Sequence, residues 1–151
     1  MKLFVNFGLI FSIAVVLFNS VSCLPSISVG NTSPKDALQK FYGAVQKGDV
    51  KAVRQTLSRR INDRIDTVAK SNPAPAYQPE TLVETIRKNL SPQMPAVRNE
   101  KTDGNRGTLA IDALFTNDKN TRTRRTVSFV KEDYSWKIDD DIVFSAESND
   151  E

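Results

Sequence analysis

Pro95 divides this chain into two periodicities. From Ser33 up to Pro95 the apolar residues recur at steps of three and four; beyond it they recur at steps of two. Helices therefore come first and strands after, and the strands are linked by stretches too short for anything but antiparallel hairpins. That order confines the chain to an α+β domain, expected to be three N-terminal helices packed into a curved antiparallel sheet.

The first helix has a clear start. Ser33 can cap it, Pro34 suits its first position, and Asp36 complements the free amides of the first turn. Ala37, Leu38, Phe41, Ala44 and Val45 give it one apolar face through Lys47, and Gly48 ends it. Asp49 caps a second helix directly, with Val50, Val53, Leu57, Ile61, Ile65 and Val68 on its buried side. Ser71-Asn72-Pro73-Ala74-Pro75 stops it, since proline cannot continue a helix. The third helix is expected over Glu80 to Leu90, with Leu82, Val83, Ile86 and Leu90 facing inward, and Pro92 and Pro95 close it.

After Pro95, Ala96 to Thr102 is a candidate edge strand, and Asp103 to Gly107 is a turn. Leu109, Ile111, Ala113 and Phe115 then alternate with Thr108, Ala110, Asp112 and Leu114. Asn117 to Asn120 turns the chain again. Thr123 to Lys131 follows, with Val127 and Phe129 on one face, and Glu132 to Ser135 leads into Trp136 to Asp139. Trp136 alternates with Ile138 and is expected in the core.

Ahead of the domain, Lys2 and an apolar run from Leu3 to Phe18 have the form of a secretory signal, residues 1–22, with Ser20, Val21 and Ser22 at the cut. Ser20-Val21-Ser22-Cys23 resembles the bacterial lipobox, which implies acylation of Cys23; the serine at position 20 stands where leucine is usual, so ordinary cleavage near Ser22 is the alternative. Cys23 is the chain's one cysteine, so it has no internal disulfide partner. Leu24 after it resembles lipoproteins sorted to an outer membrane, where the cell has one. Residues 23–32 read as a tether, 33–145 as the domain and 146–151 as an acidic disordered tail.

Loss of Lys2 lowers the net charge from +3 to +2, which is no case for nucleic acid. Lys51, Arg54, Arg59, Arg60 and Arg64 cluster, but no aromatic residues interleave with them, as a nucleic-acid face would require. The acids Asp139 to Asp141 lack the glycine and terminal glutamate of a calcium loop. No metal and no cofactor is expected.

The stretches "SPKDALQKFYGAVQKGDVKAVRQTLS", "PAVRNEKTDGNRGTLAID" and "SFVKEDYSWKIDD" resemble the nuclear transport factor two-like superfamily, and within it small exported bacterial lipoproteins of unknown function. The resemblance covers most of residues 33 to 141. It implies a cystatin-like cone, a bent sheet wrapped around three helices with a pocket at the open end, and association into a homodimer through the outer face of the sheet. Tyr134 departs from the pattern, because relatives commonly place glycine there; so does Asn105-Arg106-Gly107.

Enzymes of this superfamily resemble one another in using aspartate, tyrosine and often histidine in an apolar pocket. This chain has no histidine, which removes the usual group titrating near neutral pH. The remaining candidates for proton transfer are Asp112, Asp139 and Tyr42, with Tyr77 ahead of the third helix. Strand parity turns both aspartates away from the core and toward water. The expectation is a membrane-tethered, non-catalytic domain that binds a small apolar ligand or an envelope protein, the alternative being a periplasmic enzyme using a buried carboxylate as an isomerase or dehydratase does.

Overall fold

The computed structural model describes residues 31–112, 114–115 and 124–147. Four helices, α1 (Pro34–Lys47), α2 (Val50–Thr56), α3 (Arg59–Ser71) and α4 (Pro79–Asn89), precede four strands, β1 (Val97–Asp103), β2 (Arg106–Ile111), β3 (Arg125–Glu132) and β4 (Ser135–Ile138). A 3-10 turn at Pro75–Tyr77 introduces α4, and a 3-10 segment at Asp141–Glu147 follows β4. The expected acidic tail thus contributes its first two residues to this segment. The strands form one antiparallel sheet in the order β1-β2-β3-β4, and the fold is α+β.

The start of α1 is the capping box its sequence encodes. Ser33 Oγ accepts from the Asp36 amide at 3.1 Å, and the Asp36 carboxylate accepts from the Ser33 amide at the same distance. Gly48 ends the helix in the left-handed region at φ 67°, with its N–H returned to the carbonyls of Ala44 and Val45.

The expected second helix is two. It breaks at Leu57 and Ser58, both extended, and Ser58 Oγ accepts from the Ile61 amide to cap α3. The break is held across the molecule: the Ser58 amide donates to the Ile138 carbonyl at 2.9 Å, so that Leu57 bridges to the edge of β4. Three helices thus become four. Phe115 also leaves the strand assigned to it, since β2 ends at Ile111 and Phe115 instead bridges to Leu90.

The inward face of the sheet is the one that alternation predicts. Leu109, Ile111, Val127, Phe129, Trp136 and Ile138 are buried against Leu38, Phe41 and Val45 of α1, Ile61 and Ile65 of α3, and Leu82, Val83 and Ile86 of α4. Each such side chain contributes roughly 1.5–3 kcal/mol through its burial. Ile142 and Val143, in the 3-10 segment, are buried too and join this core. Gly107 lets α1 approach closely: a Cβ there would lie 2.9 Å from Pro34 Cγ and 3.1 Å from the Trp136 ring.

β4 is an edge strand whose outer side is partly covered. The Trp136 amide donates to the Asn31 carbonyl (3.1 Å), Asn31 Nδ2 donates to the Trp136 carbonyl (2.8 Å), and the Asn31 amide donates to Ser135 Oγ (2.9 Å). Asn31, assigned to the tether by composition, is thus 4% exposed and bound to the sheet. At the other edge β1 is almost wholly exposed, and its polar and charged side chains suit an unpaired edge. Among the described residues no helix is long and apolar enough to cross a membrane; the run from Leu3 to Phe18, Cys23 and most of the tether lie outside them.

Candidate functional site

The three candidates for proton transfer fall in separate places, and no hydrogen bond or ion pair joins any two of them. Asp112, just past β2, is gripped by Arg98, whose Nε lies 3.0 Å from both carboxylate oxygens and whose Nη2 lies 2.6 Å from Oδ2. The Arg98 hydrogen bond holds its carboxyl below the ordinary range. This pair is exposed, as parity predicts.

Asp139 does not simply meet water. Its Oδ1 accepts from Ser58 Oγ at 2.7 Å and from Arg60 Nε at 2.8 Å, and it is the side chain through which the α2–α3 break is tied to the end of β4. Burial pushes its pKa up, but hydrogen bonds from Ser58 and Arg60 outweigh that and leave it lowered. A general acid at neutral pH needs the opposite shift. Parity located Asp139 correctly off the core face; it could not show that a helix start 81 residues away covers that position.

Tyr42 is buried, and its hydroxyl donates to the Ser91 carbonyl. Burial raises the phenol's pKa. It ties α1 to the link after α4 and is occupied in doing so. Tyr77 stands in the 3-10 turn, 44% exposed.

The four arginines of the basic stretch pair with acids within the molecule. Arg54 pairs with Asp66 at 2.8 Å, Arg59 with Asp133 at 2.8 Å, Arg60 with Asp139 and Asp141, and Arg64 with Asp141 at 2.8 Å, while the Arg64 guanidinium also lies 4.4 Å from the centre of the Phe144 ring. The three consecutive acids therefore divide their work. Asp139 and Asp141 take arginines, and Asp140 accepts from the amides of Ser128 and Ile142, both at 3.0 Å.

Among the described residues the helices pack closely. Between α2, α3, α4 and the 3-10 segment a void of about 10 Å³ remains, lined by Val53, Leu57, Ile65, Leu82, Val83 and Val143 among others. That is at most the room of one water molecule, for which ~10–15 Å³ is needed on the same measure.

A larger space is outside. An open groove of about 530 Å³ runs between α1, α2 and β4, lined by Asn31, Lys40, Lys47, Gln55, Ser135 and Lys137 and floored by Gly43, Ala44, Ala52 and Thr56. Lys40 and Lys47 stand seven residues apart on α1, hence on one side of the helix. Lys137 Nζ donates to the Gln55 carbonyl at 2.5 Å, spanning from β4 to α2. The one acid, Asp49, caps α2 by accepting from the Ala52 amide at 2.9 Å. Asn31 Oδ1 is buried with no hydrogen-bond donor among the described residues. Nothing in the sequence pattern singled out this groove, because its walls come from positions about a hundred residues apart; the seven-residue spacing of Lys40 and Lys47 was the one local sign.

Among known proteins, no family model and no curated protein matches the chain. A crystal structure from Campylobacter jejuni, provisionally described as an NTF2-like transpeptidase, is similar over 70% of this chain and 97% of that one, with a TM-score of 0.42 and 16% sequence identity.

Proposed function

We propose that this chain is an exported protein anchored by lipid at Cys23 in the cell envelope, at the outer membrane where one is present, and that its domain is a non-catalytic binding module for an envelope protein. We place it with the small exported lipoproteins of the nuclear transport factor two-like superfamily that its sequence resembles. The signal-like segment and Ser20-Val21-Ser22-Cys23 support the anchoring. One anchored acyl chain alone binds a membrane only marginally, so the reading requires more than one on the same terminus.

The observation that carries the choice of ligand is the close packing of the described helices against the 3-10 segment. The void that the described residues of α2, α3, α4 and the 3-10 segment enclose is about 10 Å³, against the ~300–1,000 Å³ that a pocket for a small apolar molecule usually offers. The enzymatic alternative finds little support in the candidate acids, since Asp112 and Asp139 are each held ionised by an arginine. What is left for recognition is the outer surface.

Native mass spectrometry of the protein released gently from its own membranes tests this reading. The expected spectrum has the mass of a diacylated and N-acylated Cys23 terminus and a second protein bound to the domain. A free terminus at another residue removes the anchor; an apolar small molecule retained at one per chain, or a homodimer with no other partner, removes the proposed binding role.

A further inference from the structure

We propose that Tyr134, at the tip of the β3–β4 turn, is a membrane contact: its ring lies at the headgroup level of the bilayer and holds the turn end of the sheet against the lipid surface. The inference rests on the anchor at Cys23 proposed above and adds to it a second point of attachment.

The turn presents its aromatic side chain against a backbone strain. Glu132 pairs with Ser135 across it, which leaves Asp133 and Tyr134 as a two-residue loop with both backbones left-handed, at φ 49° and 61°. Glycine or asparagine is usual at such positions, because a larger side chain is strained there. Tyr134 is nevertheless 95% exposed, so the strain is not repaid by packing within the domain. It points to a contact outside. The tip is also braced: Arg59 Nη2 donates to Asp133 Oδ2 at 2.8 Å, and the Arg59 amide donates to the Glu132 carboxylate at 3.2 Å. The ring is thus projected from a support fixed to the start of α3.

Location selects lipid as the occupant. The Trp136 amide donates to the Asn31 carbonyl and the Asn31 amide to Ser135 Oγ, so the amino-terminal segment joins the domain beside Tyr134. The β1–β2 turn is at this end too, since the Lys131 amide donates to the Asn105 carbonyl at 2.8 Å. So is the first turn of α1, where Pro34 lies against Gly107. Asn31 is eight residues after Cys23, a span of at most about 28 Å when extended. With Cys23 anchored, the turn end is therefore the face nearest the bilayer. Tethering at that range makes the ring's contact intramolecular, so a contact too weak to recruit a free domain suffices to orient this one. Tyrosine suits the level, because its ring enters the apolar side of the interface while its hydroxyl keeps a polar partner. Lys35, Arg106 and Lys131 are exposed at the same end, beside Asp103, and their long stems let the charges stay among headgroups.

Tyr77 supplies a control. It is exposed as well, but Pro79, just after it, lines the same small void as Val50, past the far end of α1 from Asn31. The length of α1, about 21 Å, separates the two ends.

The test places the full chain, extracted from its own membranes, in vesicles of phosphatidylethanolamine and phosphatidylglycerol whose acyl chains are brominated just below the headgroup. The intact mass of the amino terminus is read first, and it alone decides the anchor. Trp136 is the chain's one tryptophan and is buried, so bromine should leave the parent emission nearly unchanged. Tyr134→Trp is expected to add a blue-shifted emission that bromine removes for the most part, and Tyr77→Trp an emission that bromine leaves intact. Both positions are exposed, so neither substitution disturbs the core. If the mass shows Cys23 unmodified, the anchor reading has failed; the chain is then coupled through that thiol to a maleimide phospholipid in the same vesicles, and position 134 is tested all the same. In either preparation, Tyr134→Trp emission untouched by bromine, or equal quenching of Tyr134→Trp and Tyr77→Trp, overturns the proposal. So does a Tyr134→Trp blue shift seen in native membranes but not in pure lipid, which assigns the tip to a protein partner.

Discussion

Arg60 holds Asp139 at two points: its Nε donates to Oδ1 at 2.8 Å and its Nη2 donates to the Asp139 carbonyl at 3.0 Å. With Ser58 Oγ on the same carboxylate, the pair fastens the start of α3 to the end of β4. The folded-state pKa of Asp139 is lowered, so its contribution to stability is present above the ordinary carboxyl value, about 3.9, and is lost as pH falls through the folded value. Asp139→Asn should therefore cost about 0.5–1.5 kcal/mol at pH 7. The difference from the parent chain should shrink below about pH 4. Urea unfolding at a series of pH values measures it; an equal cost at pH 7 and pH 2 would contradict the role given to its charge.

Tyr134 and Asp133 form the β3–β4 turn with both backbones left-handed, at φ 61° and 49°. The Tyr134 side chain is 95% exposed and contributes no packing. Tyr134→Gly should raise stability by about 0.5–1 kcal/mol, the left-handed strain of a side chain less the extra entropy of glycine in the unfolded chain. Denaturant midpoints of the two proteins give the sign directly.

Gly107 is needed for space and not for its torsion. Gly107→Ala would place a methyl group 2.9 Å from Pro34 and 3.1 Å from Trp136, at a cost of about 1–3 kcal/mol. A blue or red shift of Trp136 emission should accompany the loss, since the indole must move to admit the methyl group. An unchanged midpoint would show that α1 can shift freely on the sheet.

Removing the hydroxyl of Tyr42 leaves the Ser91 carbonyl without its donor. Tyr42→Phe should cost about 1 kcal/mol. Thermal and chemical unfolding measure this structural role.

Much of this fold was legible in the sequence because local rules and tertiary packing agree. Ser33 and Gly48 bound α1 as their side-chain and backbone chemistry predicts, and the alternation of Leu109, Ile111, Val127, Phe129, Trp136 and Ile138 names the buried face of the sheet. The α2–α3 break was hidden for a physical reason. Val53, Leu57, Ile61 and Ile65 repeat at four-residue steps and read as one continuous face, with no glycine or proline to interrupt it; the interruption is stabilised by Ile138, far along the chain. Ile142 and Val143 escaped notice because a short 3-10 segment has neither period. The site was the least legible part. Asn31 lies among serines, proline and glycine that read as a tether, and only its pairing with Trp136 makes it a wall of the groove.

That pairing also fixes where the domain would feel a pull. Tension arriving along the amino-terminal segment reaches Asn31 first, and the bonds from Asn31 to Trp136 and Ser135 stand between the load and the capping box of α1. A domain stretched from this end should give way there before its core does, with β4 laid bare as the first mechanical step.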